Sequence, residues 1–157
     1  MRRAVVLSVV LLAVAAAPAG ALIVVQRSIA GVKLGMTAKQ VREVLGNPDA
    51  VSYPSNPIQG TVKRYRYGLT EVFISRGADG RVYLVTTRST RQRTSDGVGV
   101  GSSETAVHAH IKNVHCQGSG ATRICEVGRL LPGHRVTSFF ISKAGRVKRV
   151  SLGLVID

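Results

Sequence analysis

The sequence predicts an α+β fold made of two tandem units, each a helix followed by a three-stranded antiparallel sheet, that form one continuous sheet backed by helices. Two observations lead to this prediction. The pattern at 31–45 returns 66 positions later, at 97–111. Further along, Phe73-Ile74-Ser75 reappears as Phe140-Ile141-Ser142. A pattern that recurs in register over two spans is typical of one supersecondary unit used twice.

The N-terminal segment predicts export. Arg2 and Arg3 precede an uncharged apolar stretch from Ala4 to Val25. One interpretation is a signal peptide at 1–21, cleaved after a small-residue site such as the one that ends at Ala21. The alternative is an uncleaved anchor that extends to residue 25, since about 20 apolar residues cross a bilayer. Under either interpretation the rest of the chain is exported, as a secreted or envelope-associated protein.

The first predicted unit spans 29–94 and begins with a helix. Thr37 and Gln40 have the spacing of a capping box, and Val41 lies on the apolar face of the helix. Gly46 ends the helix, and Pro48 prevents its continuation. Strands are predicted at 62–67, 70–75 and 81–88.

The second predicted unit spans 95–157. Ser103 stands at the cap position of its helix, and Val107 and Ile111 share the apolar face. This helix lacks the Gly and Pro stop of the first one. Strands are predicted at 122–127, 135–142 and 146–152.

The two cysteines, Cys116 and Cys125, predict a disulfide, because an isolated pair in an exported protein is normally oxidised. Closing so short a loop stabilises a fold by roughly 2.5 to 3 kcal/mol in the chain-entropy picture. A metal site that adds His115 and His134 is the alternative, although the chain has no C-x-x-C or H-x-x-x-H spacing. We therefore expect no metal.

The formal net charge of +14 predicts attraction to anionic surfaces outside the cell, such as lipid headgroups or acidic wall polymers. Export argues against nucleic acid as the partner. The alternative is that the charge serves solubility alone, since the basic residues are spread along the chain.

No catalytic motif emerges from the sequence. The glycine-rich run at 97–103 has no lysine in a Walker spacing, and the same place in the first copy only shapes the entry to a helix. The eight acidic residues are scattered, without a close pair for general acid and base work. We therefore expect a protein that is not an enzyme and has no cofactor or small-molecule substrate.

The run Gly-x-x-Leu-Gly-Met-Thr-x-x-x-Val-x-x-x-Leu-Gly-x-Pro, from Gly31 to Pro48, resembles the opening of the SmpA/OmlA (BamE-like) envelope domain family. A tandem pair of such units is similar in layout to β-lactamase inhibitory protein. The resemblance implies an exported, non-catalytic module for binding or assembly.

The expected function is therefore the binding of an unknown protein in the envelope or outside the cell. The alternatives are an electrostatic binder of anionic lipids or wall polymers, and a secreted enzyme inhibitor. The expected binding face lies on the exposed side of the sheet. It consists of Lys63, Tyr65, Tyr67, Arg81 and Tyr83, which alternate onto one face of each of two strands. The alternative is that these tyrosines only pack.

Overall fold

The protein, in a computed structural model that describes residues 22–56 and 60–156, contains two α-helices and twelve short or medium strands in those ranges. The predicted signal peptide lies outside the described residues. The helices are α1 (Ala38–Leu45) and α2 (Glu104–His110). The strands are β1 (Ile23–Val24), β2 (Ser28–Ile29), β3 (Ala50–Ser52), β4 (Ser55–Asn56), β5 (Gly60–Thr61), β6 (Lys63–Tyr67), β7 (Thr70–Ile74), β8 (Val82–Thr87), β9 (His115–Gln117), β10 (Ile124–Gly128), β11 (Arg135–Ile141) and β12 (Val147–Leu154).

Eight of these strands form one antiparallel sheet in the order β3-β6-β7-β8-β12-β11-β10-β9. The first half of the chain supplies one side of the sheet and the second half supplies the other, and β8 pairs with β12 in the middle. The pairs β1-β2 and β4-β5 form two small sheets of their own. Neither α-helix of the described chain is long and apolar enough to cross a bilayer.

The predicted fold class of two tandem helix-then-three-stranded units is therefore wrong. The structure has a single eight-stranded sheet with two helices, and each half contributes four strands to it. The additional strands are β3 and β9, which have three residues each and pair at the two outer edges. The strands that were predicted do occur, with bounds shifted by one or two residues. The division at 94 and 95 falls within the connection between β8 and α2.

Local sequence signals account for both helices. Thr37 and Gln40 form the predicted capping box, with the Gln40 N–H donating to Thr37 Oγ1 at 3.2 Å and the Thr37 N–H donating to Gln40 Oε1 at 2.8 Å. Gly46 ends α1 with a φ of 79°, a conformation that suits glycine. Ser103 caps α2 by accepting from the Ala106 N–H at 3.1 Å.

The helix entries are tied to the sheet by matching backbone contacts. The N–H of Gly35 donates to the Val82 carbonyl, and the N–H of Gly101 donates to the Val147 carbonyl, each at 2.8 Å. Val82 returns a hydrogen bond to the carbonyl of Met36. These contacts fix the start of each helix against one of the long strands.

The core lies between the helices and one face of the sheet. Val41 of α1 and Val107 of α2 are fully buried there, against side chains that include Val72, Phe139 and Leu152. The β1-β2 hairpin completes this layer with Ile23, Ile29 and their neighbours. Packing an apolar stripe of each helix on one face of a sheet leaves the other face free.

Candidate functional site

The helix-free side of the sheet, which we call the open face, is defined by the register of the strands. Side chains alternate between faces, so the partners of one open-face residue trace a row across all eight strands. That row consists of Ala50, Arg66, Glu71, Thr86, Ser151, Ser138, Glu126 and His115. The row has no large apolar residue, and it crosses the full width of the sheet.

Small hydroxyl side chains occupy the centre of the open face. Thr86, Ser151 and Ser138 stand side by side on β8, β12 and β11, and each is buried by its neighbours. Ser138 Oγ donates to Glu126 Oε1 at 2.9 Å, and Thr86 Oγ1 donates to the Val150 carbonyl at 3.3 Å. Because these side chains are short, a partner can bring its own atoms close to the strands there.

An arginine and an aromatic ring stand next to this polar centre. The guanidinium carbon of Arg149 lies 3.8 Å from the centroid of the Phe140 ring, on the neighbouring strand. Its Nε is buried and has no hydrogen-bond partner among the described residues. Burial, and then repulsion from Arg88, lower the pKa of Arg149, while Glu71 acts in the opposite direction. Arg149 is thus a cation that lacks a close anionic partner within the described chain.

Arg64 and Glu71, which also lie on this face, form an ion pair within the chain. Arg64 Nη1 lies 3.3 Å from Glu71 Oε1, and its Nε donates to Ser52 Oγ at 2.9 Å. Phe73 and Tyr83 form an aromatic pair with ring centroids 6.4 Å apart. Burial raises the pKa of Tyr83 above its usual value of 10.0.

The five residues of the predicted binding face do not share one face of the structure. Tyr65 is 3% exposed and belongs to the core under α1, where its hydroxyl accepts from Arg42 Nη1 at 2.6 Å. Tyr67 packs against the same core, and its hydroxyl donates to the Gly46 carbonyl at 3.2 Å. Burial is the main cause that raises the pKa of Tyr67. Both tyrosines support the helix-covered side of the sheet.

The remaining residues of that set take separate places. Tyr83 lies beside Phe73 on the open face, because the register between β7 and β8 shifts between Phe73 and Ile74. Arg81 precedes β8 and donates from Nη1 to the Gly35 carbonyl at 3.4 Å. Lys63 lines a cavity beside α1.

That cavity, which we call the α1 cavity, has a volume of about 600 Å³. Its walls are the N-terminal half of α1, the segment around Tyr53, the start of β6, and the turn between β7 and β8. The basic residues in its lining are Lys39, Arg42, Lys63 and Arg76, and none of the described residues that line it is acidic. This site was not predicted from the sequence, because its basic residues come from three segments far apart in the chain.

Cys116 and Cys125 form the predicted disulfide, directly across the β9-β10 pair. Glu104 and His108 lie close to both sulfur atoms. The disulfide removes the thiolates that a metal would need, and Arg123 Nε donates to both Glu104 oxygens, at 2.9 and 2.8 Å. The hydrogen bond from Arg123 is the main cause that lowers the pKa of Glu104. This cluster is therefore a structural one.

The chain matches no protein-family model and no curated protein. It is similar in fold to an extracellular protein containing an SCP domain from Bacillus anthracis, with a TM-score of 0.51 and 8% identity over 76% of this chain and 43% of that one. The chain thus spans less than half of that protein. A comparison with a DUF4309 family protein from Bacillus subtilis gives a TM-score of 0.47 and 14% sequence identity. The match covers 80% of this chain and 84% of that one. A comparison with a cysteine-rich secretory protein from Staphylococcus aureus gives a TM-score of 0.45 and 12% sequence identity. The match covers 77% of this chain and 44% of that one.

The expected membership of the SmpA/OmlA (BamE-like) family, with a tandem layout similar to β-lactamase inhibitory protein, is wrong. No family model matches, and the solved structure that is similar in fold with a TM-score of 0.51 is described as an extracellular protein containing an SCP domain. The run from Gly31 to Pro48 encodes a helix entry, a cap and a stop. Those local features serve any fold that leads a capped helix onto a sheet, so they do not specify one family.

Proposed function

We propose that the protein is an exported, non-catalytic module whose open face binds an acidic surface on a protein partner. The observation that carries this proposal is Arg149, held over the Phe140 ring on the helix-free side of the sheet. Arginine beside an aromatic ring is a common anchor of protein interfaces. A partner carboxylate would satisfy the guanidinium that the described chain leaves without an acidic partner.

The rest of the open face suits the same role. Next to the anchor, the short side chains of Thr86, Ser138 and Ser151 let a partner approach the strands closely. The net charge of +14 favours encounter with an acidic partner. A secreted enzyme is one form that such a partner could take, in which case binding would amount to inhibition.

Export is supported by three independent features. The segment 1–21 has the composition of a signal peptide. The disulfide between Cys116 and Cys125 is of a kind that persists in oxidising compartments. The SCP-domain protein of similar fold is described as extracellular.

The test is affinity capture of the full chain, tagged at its C terminus and produced in its own host, followed by mass spectrometry. Wild type is compared with Arg149→Glu and with Arg27→Glu, a matched control in the exposed turn between β1 and β2 on the helix side. We expect a protein that wild type and Arg27→Glu retain and that Arg149→Glu loses. Equal retention by all three, or equal loss from both variants, would contradict the proposal.

Salt distinguishes this function from electrostatic binding of anionic lipids or wall polymers. A packed interface around Arg149 should survive a high-salt wash, whereas attraction between exposed charges is screened. Release of all captured material by salt would favour the electrostatic alternative.

A further inference from the structure

The α1 cavity is lined by four basic side chains, and most of them have no carboxylate nearby among the described residues. Of its four basic residues, only Lys39 has a carboxylate nearby, with its Nζ 4.0 Å from Glu43 Oε1. Both of these side chains are largely exposed, so the pair contributes little. Within the described ranges, no carboxylate lies within 4.0 Å of Arg42, Lys63 or Arg76.

Two of these cations are positioned by aromatic rings. Lys63 Nζ lies 5.9 Å from the centroid of the Tyr65 ring and 6.0 Å from that of Tyr53. Arg42 is held by its hydrogen bond to the Tyr65 hydroxyl, and its guanidinium carbon is 5.9 Å from the same ring. The core tyrosine Tyr65 thus sets the position of both cations beside the cavity, before any ligand arrives.

Arg76 approaches from another element, the turn between β7 and β8. Asp79 belongs to the same turn, but it does not line the cavity. Glu43, on the next turn of α1, does not line it either. An anion in the cavity would therefore meet cations from α1, from β6 and from this turn, and no carboxylate from residues 22–56 or 60–156 in the wall.

The cavity is larger than a bare anion needs, and part of its wall is apolar. Ala38, Val62 and Ile74 contribute to the lining, and the ring of Tyr53 stands 62% exposed at its side. Sites of this kind bind ligands with a small number of polar groups on a less polar body. The expected ligand has a multiply charged head and a short organic portion.

We propose that the α1 cavity is a binding site for a phosphate monoester. Such a group carries a charge of about −1.5 to −2 at neutral pH and three acceptor oxygens. It can accept from the planar guanidinium of Arg42 or Arg76 and from the ammonium of Lys63 together, whereas a single carboxylate has one charge to share among them. This site is separate from the open face and does not depend on the partner proposed there.

The test measures binding of glycerol 3-phosphate to the full chain by NMR, from the amide shifts of Lys63, Arg76 and Gly77. The variant Lys63→Gln with Arg76→Gln is compared with Arg27→Gln with Lys143→Gln, which removes the same charge from two exposed turns. We expect saturable binding by wild type and the control, and at least about tenfold weaker binding by the cavity variant, a difference of about 1.4 kcal/mol. Circular dichroism confirms that each variant is folded.

A parallel arm uses phosphatidylcholine vesicles with and without phosphatidic acid, which presents the same headgroup on a lipid surface. Binding in solution identifies a soluble ester, and sedimentation only with phosphatidic acid vesicles identifies a lipid. Either outcome supports the proposal if the cavity variant loses the binding seen with wild type and the control variant keeps that binding. No binding in either arm, or equal loss in both variants, would overturn it. Arg149→Glu should retain cavity binding, so failure of one proposal leaves the other intact.

Discussion

Replacing Phe139 by alanine should remove a large part of the stability of the fold. Phe139 is 0% exposed on β11, and it lies opposite Cys125 on one side and Val150 on the other. Truncating a fully buried phenylalanine costs about 3–5 kcal/mol, from lost transfer free energy and the cavity left behind. Since domains are stable by about 5–15 kcal/mol, urea-induced unfolding followed by circular dichroism should show a large fall in midpoint.

The neighbouring residue gives the matched control. Phe140 points to the open face, where it contacts Arg149 and is only half-buried. We expect Phe140→Ala to lower the free energy of unfolding by less than half as much as Phe139→Ala. If Phe139→Ala does not fold, Phe139→Leu should cost about 1 kcal/mol and restore a measurable comparison. A larger cost for Phe140→Ala than for Phe139→Ala would refute the assignment of the two faces.

Three further predictions concern local features. Replacing Cys116 and Cys125 together by serine should lower the free energy of unfolding by about 2.7 kcal/mol, since the disulfide closes a short loop; an unchanged urea midpoint would contradict this. Glu104→Gln should destabilise at neutral pH, and its difference from wild type should vanish on acidification. The reason is that the pKa of Glu104 is lowered in the folded state, so the stability that its charge provides is lost as the pH falls below the ordinary value of 4.5. A difference in free energy of unfolding between wild type and variant that stays constant in acid would contradict this prediction. Thr37→Ala should cost about 1 kcal/mol in thermal unfolding, whereas Thr105→Ala, on an exposed position of α2, should cost less.

Signals that act over a few residues could be read from the sequence. The Thr37 and Gln40 pair predicts the start of α1, and Gly46 predicts its end, because each satisfies backbone groups of its own helix. The disulfide could also be predicted, since the chain has two cysteines separated by a flexible turn. These features depend on local chemistry alone.

The edge strands could not be read in this way. β3 and β9 have three residues each, which is too short for an alternating pattern to stand out from a loop. Val51, at the centre of β3, is a strand residue because it pairs with Tyr65. Such strands form through tertiary pairing, so the count of strands in each half was predicted too low.

The faces of the strands needed the register of neighbouring strands. Because side chains alternate along a strand, Lys63, Tyr65 and Tyr67 must share one face of β6. The alternation alone does not say whether that face is the one covered by the helices. One usable signal was the two-residue connection at Gly68 and Leu69, which aligns Tyr65 with the apolar Val72 and places it in the core. The face on which Tyr83 lies could not be predicted from the sequence, because a register irregularity between β7 and β8 interrupts the alternation of side chains there.

The most direct test of the central claim is photo-crosslinking in the native host, with a photoreactive amino acid at one of two exposed positions. Arg66 lies on the open face, and Ala109 lies on α2 on the opposite side of the sheet. We expect one protein adduct from position 66 and none from position 109. An adduct from position 109 alone, or no adduct from position 66, would contradict a partner-binding role for the open face.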